Sequence, residues 1–163
     1  MGIVFSKFGI IVAMAAMLTL FAGRVSAGGI GCNGETMTGV INDDIEASGD
    51  CVLDSGARVN GNVKMSAGNL TVEAGARVEG NIENEGTGSV TVNGKIFGNV
   101  IDKDGGSIEV NGKVTGNIEE EGDGDVTIGP DARIKGNVIE KDGGDCTFDP
   151  NAKVKGQLRW RWM

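Results

Sequence analysis

An internal repeat of 18 to 20 residues constrains the fold of this chain more than any other feature. Six copies begin at residues 51, 70, 90, 108, 126 and 146, and they open with CVLDSGARVNGNV, LTVEAGARVEGNI, VTVNGKIFGNV, IEVNGKVTGNI, VTIGPDARIKGNV and CTFDPNAKVKGQL. A seventh, degenerate copy lies at residues 37–41. Within each copy, apolar and polar residues alternate, as in Val90, Thr91 and Val92, which indicates strands rather than helices.

A single copy is too small to bury its own apolar residues, so equivalent residues of successive copies must stack into columns. One such column contains Val59, Val78, Ile96, Val114, Ile134 and Val154. An inward glycine column, at the point where the wall comes close to the far side, contains Gly61, Gly80, Gly98, Gly116, Gly136 and Gly156. Because units of 18 to 20 residues break the strict hexapeptide period of left-handed helices, the sequence predicts an all-β fold, a right-handed parallel β-helix (β-solenoid) of about seven 18–20-residue coils, with two short strands per coil.

The first 27 residues have the features of a secretory signal peptide. Lys7 supplies a positive charge, residues 8–21 form an apolar run, and Val25, Ser26 and Ala27 suit a cleavage site. The alternative, an uncleaved membrane anchor, would need a longer apolar run. We predict a signal peptide over 1–27, an N-terminal cap and first coil over 28–50, β-helix repeats over 51–158, and a Trp/Arg tail over 159–163. The expected localisation is the periplasm or the cell exterior.

Charge and composition argue against several classes of function. The chain has 15 Lys and Arg residues against 23 Asp and Glu, a net charge of −8, which does not favour a nucleic-acid partner. It contains no His, so the Ser–His and Cys–His pairs of many hydrolases are impossible. We therefore predict neither enzymatic activity nor a cofactor.

The repeats carry a resemblance to a known family. Units such as LTVEAGARVEGNI at 70–82 and VTIGPDARIKGNV at 126–138 resemble the repeats of bactofilins, bacterial β-helix proteins that form polymers. The likeness covers about residues 51–158 and rests on a spaced Val-x-Gly-Asn-Val/Ile motif. It implies a right-handed β-helix that joins end to end into nucleotide-free filaments. Bactofilins are usually cytosolic, so the signal peptide would make this chain an exported variant.

One outward column is basic throughout. This basic ladder contains Arg58, Arg77, Lys95, Lys113, Arg133 and Lys153. The acids expected to relieve its repulsion are Asp54, Glu73, Asp131 and Asp149. The ladder is either a stripe that binds an acidic partner or a set of long stems that cover the coil edge with their charged heads in water.

The turns between copies are expected to form an acidic, solvated edge. Its predicted members are Glu83, Glu85, Asp102, Asp104, Glu119, Glu120, Glu121, Asp123, Asp125, Glu140, Asp142 and Asp145. Alternation of Glu85, Lys103, Glu121 and Lys141 would fix the register of the coils, since a slipped coil would place like charges together. Calcium binding to the Gly-rich acidic turns is a possible alternative that we do not favour, and no metal site is predicted.

An asparagine column lies beside the glycines, and its stacked amides are expected to bond along the rod. Its members are Asn62, Asn81, Asn99, Asn117 and Asn137, followed by Gln157.

Three cysteines in an exported chain suggest one disulfide and one free thiol. Cys32 and Cys51 are 19 residues apart, about one coil, and stacked neighbours can lie within disulfide reach. We predict that bridge. Cys146 is either a buried, inert thiol or a link to another subunit.

The predicted function depends on the two ends of the rod. A β-helix leaves unpaired strand edges that another chain can extend, and the predicted polymer interface contains Phe148, Leu158, Trp160 and Trp162. The tail is either a cap or a joint between subunits, and the joint is favoured. We expect an exported structural protein that assembles end to end into filaments, with possible sideways bundling through basic and acidic ladders and possible weak contact with a membrane surface. The alternative is a monomeric secreted adhesive or calcium-binding module.

Overall fold

The structure, a computed structural model, describes residues 29–160, so the predicted signal peptide and Trp162 lie outside the described residues. Within this range the fold is all-β, with no helix, and the chain coils through about seven turns of a β-solenoid. Each complete turn adds one strand to each of three parallel sheets. The predicted fold class is therefore confirmed, although a turn holds three short strands and not two.

Within residues 29–160 the three sheets contain eight, seven and seven strands. Sheet 1 contains Ile30–Gly31, Ile45–Ala47, Val63–Met65, Ile82–Asn84, Val100–Asp102, Ile118–Glu120, Val138–Glu140 and Leu158–Arg159. Sheet 2 contains Glu35–Met37, Cys51–Leu53, Leu70–Val72, Val90–Val92, Ile108–Val110, Val126–Ile128 and Cys146–Phe148. Sheet 3 contains Val40–Ile41, Arg58–Val59, Arg77–Val78, Lys95–Ile96, Lys113–Val114, Arg133–Ile134 and Lys153–Val154.

The predicted apolar columns form the core of the rod. In sheet 3, Val78 pairs in register with Ile96, and Ile96 pairs with Val114. All three side chains are at most 1% exposed. Because strand pairing is parallel and in register, the inward aliphatic side chains of this column lie directly on one another in successive coils. This repeated burial replaces the larger core of an ordinary globular domain.

The glycine column lies at the corner between sheets 3 and 1, and its physical reason differs from the predicted one. A Cβ on Gly98 would lie 2.5 Å from the carbonyl oxygen of Gly80, in the coil before it. The Gly98 N–H donates to the same oxygen at 3.2 Å. The close approach is thus between stacked coils along the axis, not across the interior, and it excludes a side chain at the glycine position.

The asparagine column beside these glycines is a hydrogen-bond ladder, as expected. The side-chain oxygen of Asn81 accepts the backbone N–H of Asn99 at 2.8 Å, and that of Asn99 accepts the N–H of Asn117 at 2.7 Å. The ladder ends where Gln157 donates its N–H to Asn137 at 2.8 Å. Each coil corner is therefore tied to the next by one side chain.

The predicted disulfide joins Cys32 to Cys51, with Cα atoms 5.5 Å apart. The two residues do not share a column, because the register partner of Cys51 is Glu35. Cys32 follows the first strand of sheet 1, so the bond connects that corner to sheet 2 of the next coil. It closes a loop of one coil at the N-terminal end.

Reduction of this disulfide is expected to lower the free energy of unfolding by about 3 kcal/mol, since the bond removes loop-closure entropy from the unfolded chain. Urea unfolding with and without a reductant measures the difference. The double variant Cys32→Ala/Cys51→Ala should unfold like the reduced protein and be insensitive to reductant, whereas Cys146→Ser should keep the full response. Equal stability of oxidised and reduced protein would contradict the prediction.

Candidate functional site

The C-terminal end of the rod exposes apolar side chains. Cys146, Phe148 and Val154 belong to the last coil and are only partly buried, and Leu158 is 38% exposed. The Trp160 ring stacks on Phe148 with centroids 5.5 Å apart. Three of the four residues predicted for the polymer interface are therefore together at this end, and the tail begins to fold over the last coil.

The N-terminal end of the rod exposes fewer apolar side chains than the C-terminal end. The first strands of the three sheets are Ile30–Gly31, Glu35–Met37 and Val40–Ile41. Met37 is partly buried, Ile41 is 5% exposed, and Val40 points outward with 64% exposure. In residues 29–160 neither end is covered by a helix, so each sheet ends in an edge strand at both ends of the rod.

The basic ladder lies on the outer face of sheet 3. Its six members pair in register along six successive strands. At the N-terminal part, Arg77 and Arg58 contact Glu79 at 2.6 and 3.3 Å. Within residues 29–160 the ladder makes ion pairs with Glu79, and none with Asp54, Glu73, Asp131 or Asp149.

An aromatic ring contacts two members of the ladder. The Arg77 guanidinium and the Lys95 ammonium each lie 4.2 Å from the ring centroid of Phe97. The electron-rich face of an aromatic ring attracts cations, so these contacts offset part of the repulsion between Arg77 and Lys95. Phe97 thus belongs to this face, although its sequence position gave it no predicted role.

From Lys95 onward, the cations of this face lack ion-pair partners in the described part of the chain. Lys95, Lys113, Arg133 and Lys153 make no ion pair within residues 29–160. A second column, missed in the sequence, adds Lys135 and Lys155 beside Arg133 and Lys153. In earlier coils the same column holds Asn60, Glu79, Phe97 and Thr115, so no basic pattern was visible.

The turn that joins sheet 1 to sheet 2 carries most of the predicted acidic edge. Lys103 pairs there with Glu83 and with Glu85, the latter at 3.3 Å. Lys141 pairs with Glu121 and with Glu119, the latter at 3.3 Å. The alternating charges do meet between neighbouring coils, although each exposed pair contributes at most about 1 kcal/mol.

Three acids predicted for that solvated edge lie inside the rod instead. Asp102 and Glu120 are fully buried, and Glu140 is 3% exposed. They are the third residues of sheet 1 strands and stack with Asn84 in one inward column, which continues Ala47 and Met65 of the first coils. Placing them on the surface was wrong because the strand alternation continues inward at the second residue after the last apolar column of each copy.

The buried acids hold the Gly-rich turns that follow them. Glu140 Oε1 accepts the N–H groups of Gly143 at 2.7 Å and Gly144 at 3.1 Å. Asp102 Oδ1 accepts the N–H of Gly106 at 3.1 Å, while Oδ2 accepts from Asn84 Nδ2 at 2.6 Å. The acids therefore act as internal anchors for backbone N–H groups that would otherwise lack partners.

This arrangement leaves the column short of donors. The Oε2 atoms of Glu120 and Glu140 are buried and have no hydrogen-bond partner. Burial raises the pKa of Glu120 to about 7, with a smaller contribution from the charges of Asp102 and Glu140. Burial also raises the pKa of Asp102, against the hydrogen bond from Asn84. With a pKa of about 7, the Glu120 carboxyl is about half protonated near neutral pH.

Cys146 is the free cysteine among the described residues. Its thiol stacks on Val126 in sheet 2. Burial, and secondarily the charge of Glu140, raises the pKa of this thiol to about 12. A thiol that stays protonated is a poor nucleophile, which favours an inert role over a link between subunits.

No helix in residues 29–160 is long and apolar enough to span a membrane. The same residues contain no group of three or more acidic or cysteine side chains arranged to hold a metal ion. No family model, curated protein or solved structure matches the chain. The fold is nonetheless compatible with the bactofilin-like β-helix that the repeats resemble.

Proposed function

We propose that this protein is an exported structural protein whose β-solenoid joins end to end into filaments. The supporting observation is the pair of open ends: each of the three parallel sheets stops at an unpaired edge strand at both ends of residues 29–160. Edge strands offer free N–H and C=O groups that template the addition of another chain. The disulfide between Cys32 and Cys51 agrees with an oxidising compartment, as expected after export.

The inward columns favour a head-to-tail joint. Docking of a second copy on sheets 2 and 3 would continue their columns with Met37 over Phe148 and Ile41 over Val154, and it requires Trp160 to leave Phe148. Both of these column contacts would be apolar on both sides. Sheet 1 has one strand more than the other two, so the Ile30–Gly31 strand of the second copy would meet Leu158–Arg159 at one level, and one of these two strands must be displaced. The outward basic ladder would meet the uncharged Val40 after Lys153, which avoids a further like-charge contact. Glu35, which would follow Cys146, is the one polar exception on this side.

The double variant Leu158→Lys/Trp160→Lys is expected to abolish filaments while the rod stays folded. Two ammonium groups at the open end would have to be desolvated before another coil could dock. Negative-stain electron microscopy of wild type and variant, with circular dichroism to confirm the fold, measures the effect.

Arg159→Glu is the matched control, because Arg159 lies on the same strand but points outward. It should form filaments like the wild type. Filaments of unchanged length in the double variant would overturn the proposed joint. Wild-type protein that stays monomeric and folds only with added calcium would instead support the monomeric module.

A further inference from the structure

A strongly basic face on an acidic protein requires explanation. The outer surface of sheet 3 from Lys95 onward carries six cations, none of them in an ion pair within residues 29–160, in a chain of net charge −8. Lys113, Arg133 and Lys153 form one column, Lys135 and Lys155 a second. These side chains border a shallow groove of about 430 Å³. Stacked like charges repel, so this arrangement is unfavourable for the isolated rod.

The same coils carry an opposite charge on the opposite side. The chain passes from sheet 1 to sheet 2 to sheet 3 in every turn, so the corner between sheets 1 and 2 is the one that sheet 3 does not border. At this corner the exposed carboxylates without an ion pair in the described range are Asp104, Asp123, Asp125 and Asp145. The cations of the basic groove and the acids of the acidic corner both recur along the rod axis once per coil, about every 4.8 Å.

We propose that the basic face of sheet 3, from Lys95 to Lys155, is a docking surface for the acidic corner of a second copy of this protein, so that rods associate sideways. A projecting acidic turn fits a groove lined with cations, and equal axial repeats let several charge pairs form at once. The basic face and the acidic corner lie on opposite sides of one rod, so the contact joins two different surfaces and does not form a closed ring. It therefore adds rods in successive rows.

This inference rests on the proposed function in one respect: the filament makes the sideways contact strong, although single rods can also make it. Each exposed pair is weak, at most about 1 kcal/mol, and is screened over about 8 Å at physiological salt. Along a filament the pairs repeat on every copy, and the contact becomes strong through multivalency. A nucleic acid or an acidic polysaccharide carries charges of the same sign, and its effect on bundling distinguishes it from a second copy.

The test is the triple variant Lys113→Ala/Arg133→Ala/Lys153→Ala of the full chain. In negative stain at low ionic strength, wild-type filaments should lie in bundles that high salt separates into single filaments of unchanged length. The triple variant should give single filaments at both salt concentrations. Its matched control is Thr36→Glu/Thr71→Glu/Thr147→Glu on the outer face of sheet 2, which shifts the net charge by the same amount and should still bundle.

Sedimentation velocity at high protein concentration separates this inference from the filament proposal. Single rods that pair in a salt-sensitive way, with pairing lost in the triple variant but kept in the control, would support the docking surface even if no filament forms. Wild-type filaments that never bundle, or bundles unaffected by the triple substitution, would overturn it. Bundling that requires added polyphosphate or an acidic polysaccharide would also overturn it and assign the face to a polyanion.

Discussion

Replacing Gly98 by alanine is expected to lower the free energy of unfolding by about 3 kcal/mol or more. The new Cβ would lie 2.5 Å from the Gly80 carbonyl oxygen and 2.7 Å from its carbonyl carbon. These two are backbone atoms, held in place by the hydrogen bond that Gly98 itself donates to Gly80. The Cβ would also clash with Asn81 Oδ1, which accepts the N–H of Asn99. The coils can accommodate a methyl group only by moving apart, which stretches this bond and loosens the aliphatic columns on either side.

Urea unfolding of Gly98→Ala against the wild type measures this cost. Gly49→Ala is the matched control, since the nearest atom to its Cβ would be Asn33 Cα at 3.5 Å, an ordinary contact. The control should change stability by less than about 1 kcal/mol, because alanine also reduces the entropy of the unfolded chain. If both variants were equally stable, the coils would not be in contact at this corner and the packing along the axis would be wrong.

The repeat predicted the fold because two sequence patterns, alternation within a copy and equal spacing between copies, recur in every copy. Alternation within a copy gave the inward faces, and equal spacing between copies gave the stacking, so Val78, Ile96 and Val114 could be placed in one column from the sequence alone. The glycine column was also located correctly by spacing. The reason for these glycines was not predicted correctly. It depends on the distance between the corners of stacked coils, and the spacing of the repeats in the sequence does not give this distance.

The interior acids mark the limit of prediction from the repeat pattern. In the early coils the third residue of each sheet 1 strand is Ala47 or Met65, which obeys the alternation. Later coils place Asp102 and Glu120 at the same register, where a composition-based rule assigns charged residues to solvent. The sequence feature that could have predicted their burial is that they occupy the same repeat position as the apolar Met65. The physical reason is that the Gly-rich turns direct N–H groups inward, and a carboxylate satisfies several of them at once.

The candidate surfaces were predicted in part for a similar reason. The first basic column was visible because all six copies carry a cation at that position. Lys135 and Lys155 were not, since only the last two coils are basic there. The distinction between the paired residues Arg58 and Arg77 and the unpaired cations from Lys95 onward depends on a single acid, Glu79, which the repeat pattern does not mark.

The stability of the protein is expected to fall as the pH rises from about 4.5 to about 7. Glu120 has a pKa of about 7 in the folded protein, above its ordinary value of 4.5, because burial disfavours its charge. Between these values the folded state holds a proton that the unfolded state has lost, so the stabilisation is complete below pH 4.5 and is lost through pH 7. The loss amounts to up to about 3 kcal/mol, and the raised pKa of Asp102 acts in the same direction.

Urea unfolding across this pH range tests the prediction. Glu120→Gln should flatten the profile, because a neutral amide of the same shape needs no proton, and at pH 8 it should be at least as stable as the wild type. Glu109→Gln is the matched control, since Glu109 is exposed on sheet 2 and its loss should leave the profile unchanged. A wild-type stability that instead rises from pH 5 to pH 7, or a Glu120→Gln profile as steep as the wild type's, would show that these carboxylates do not hold protons inside the rod.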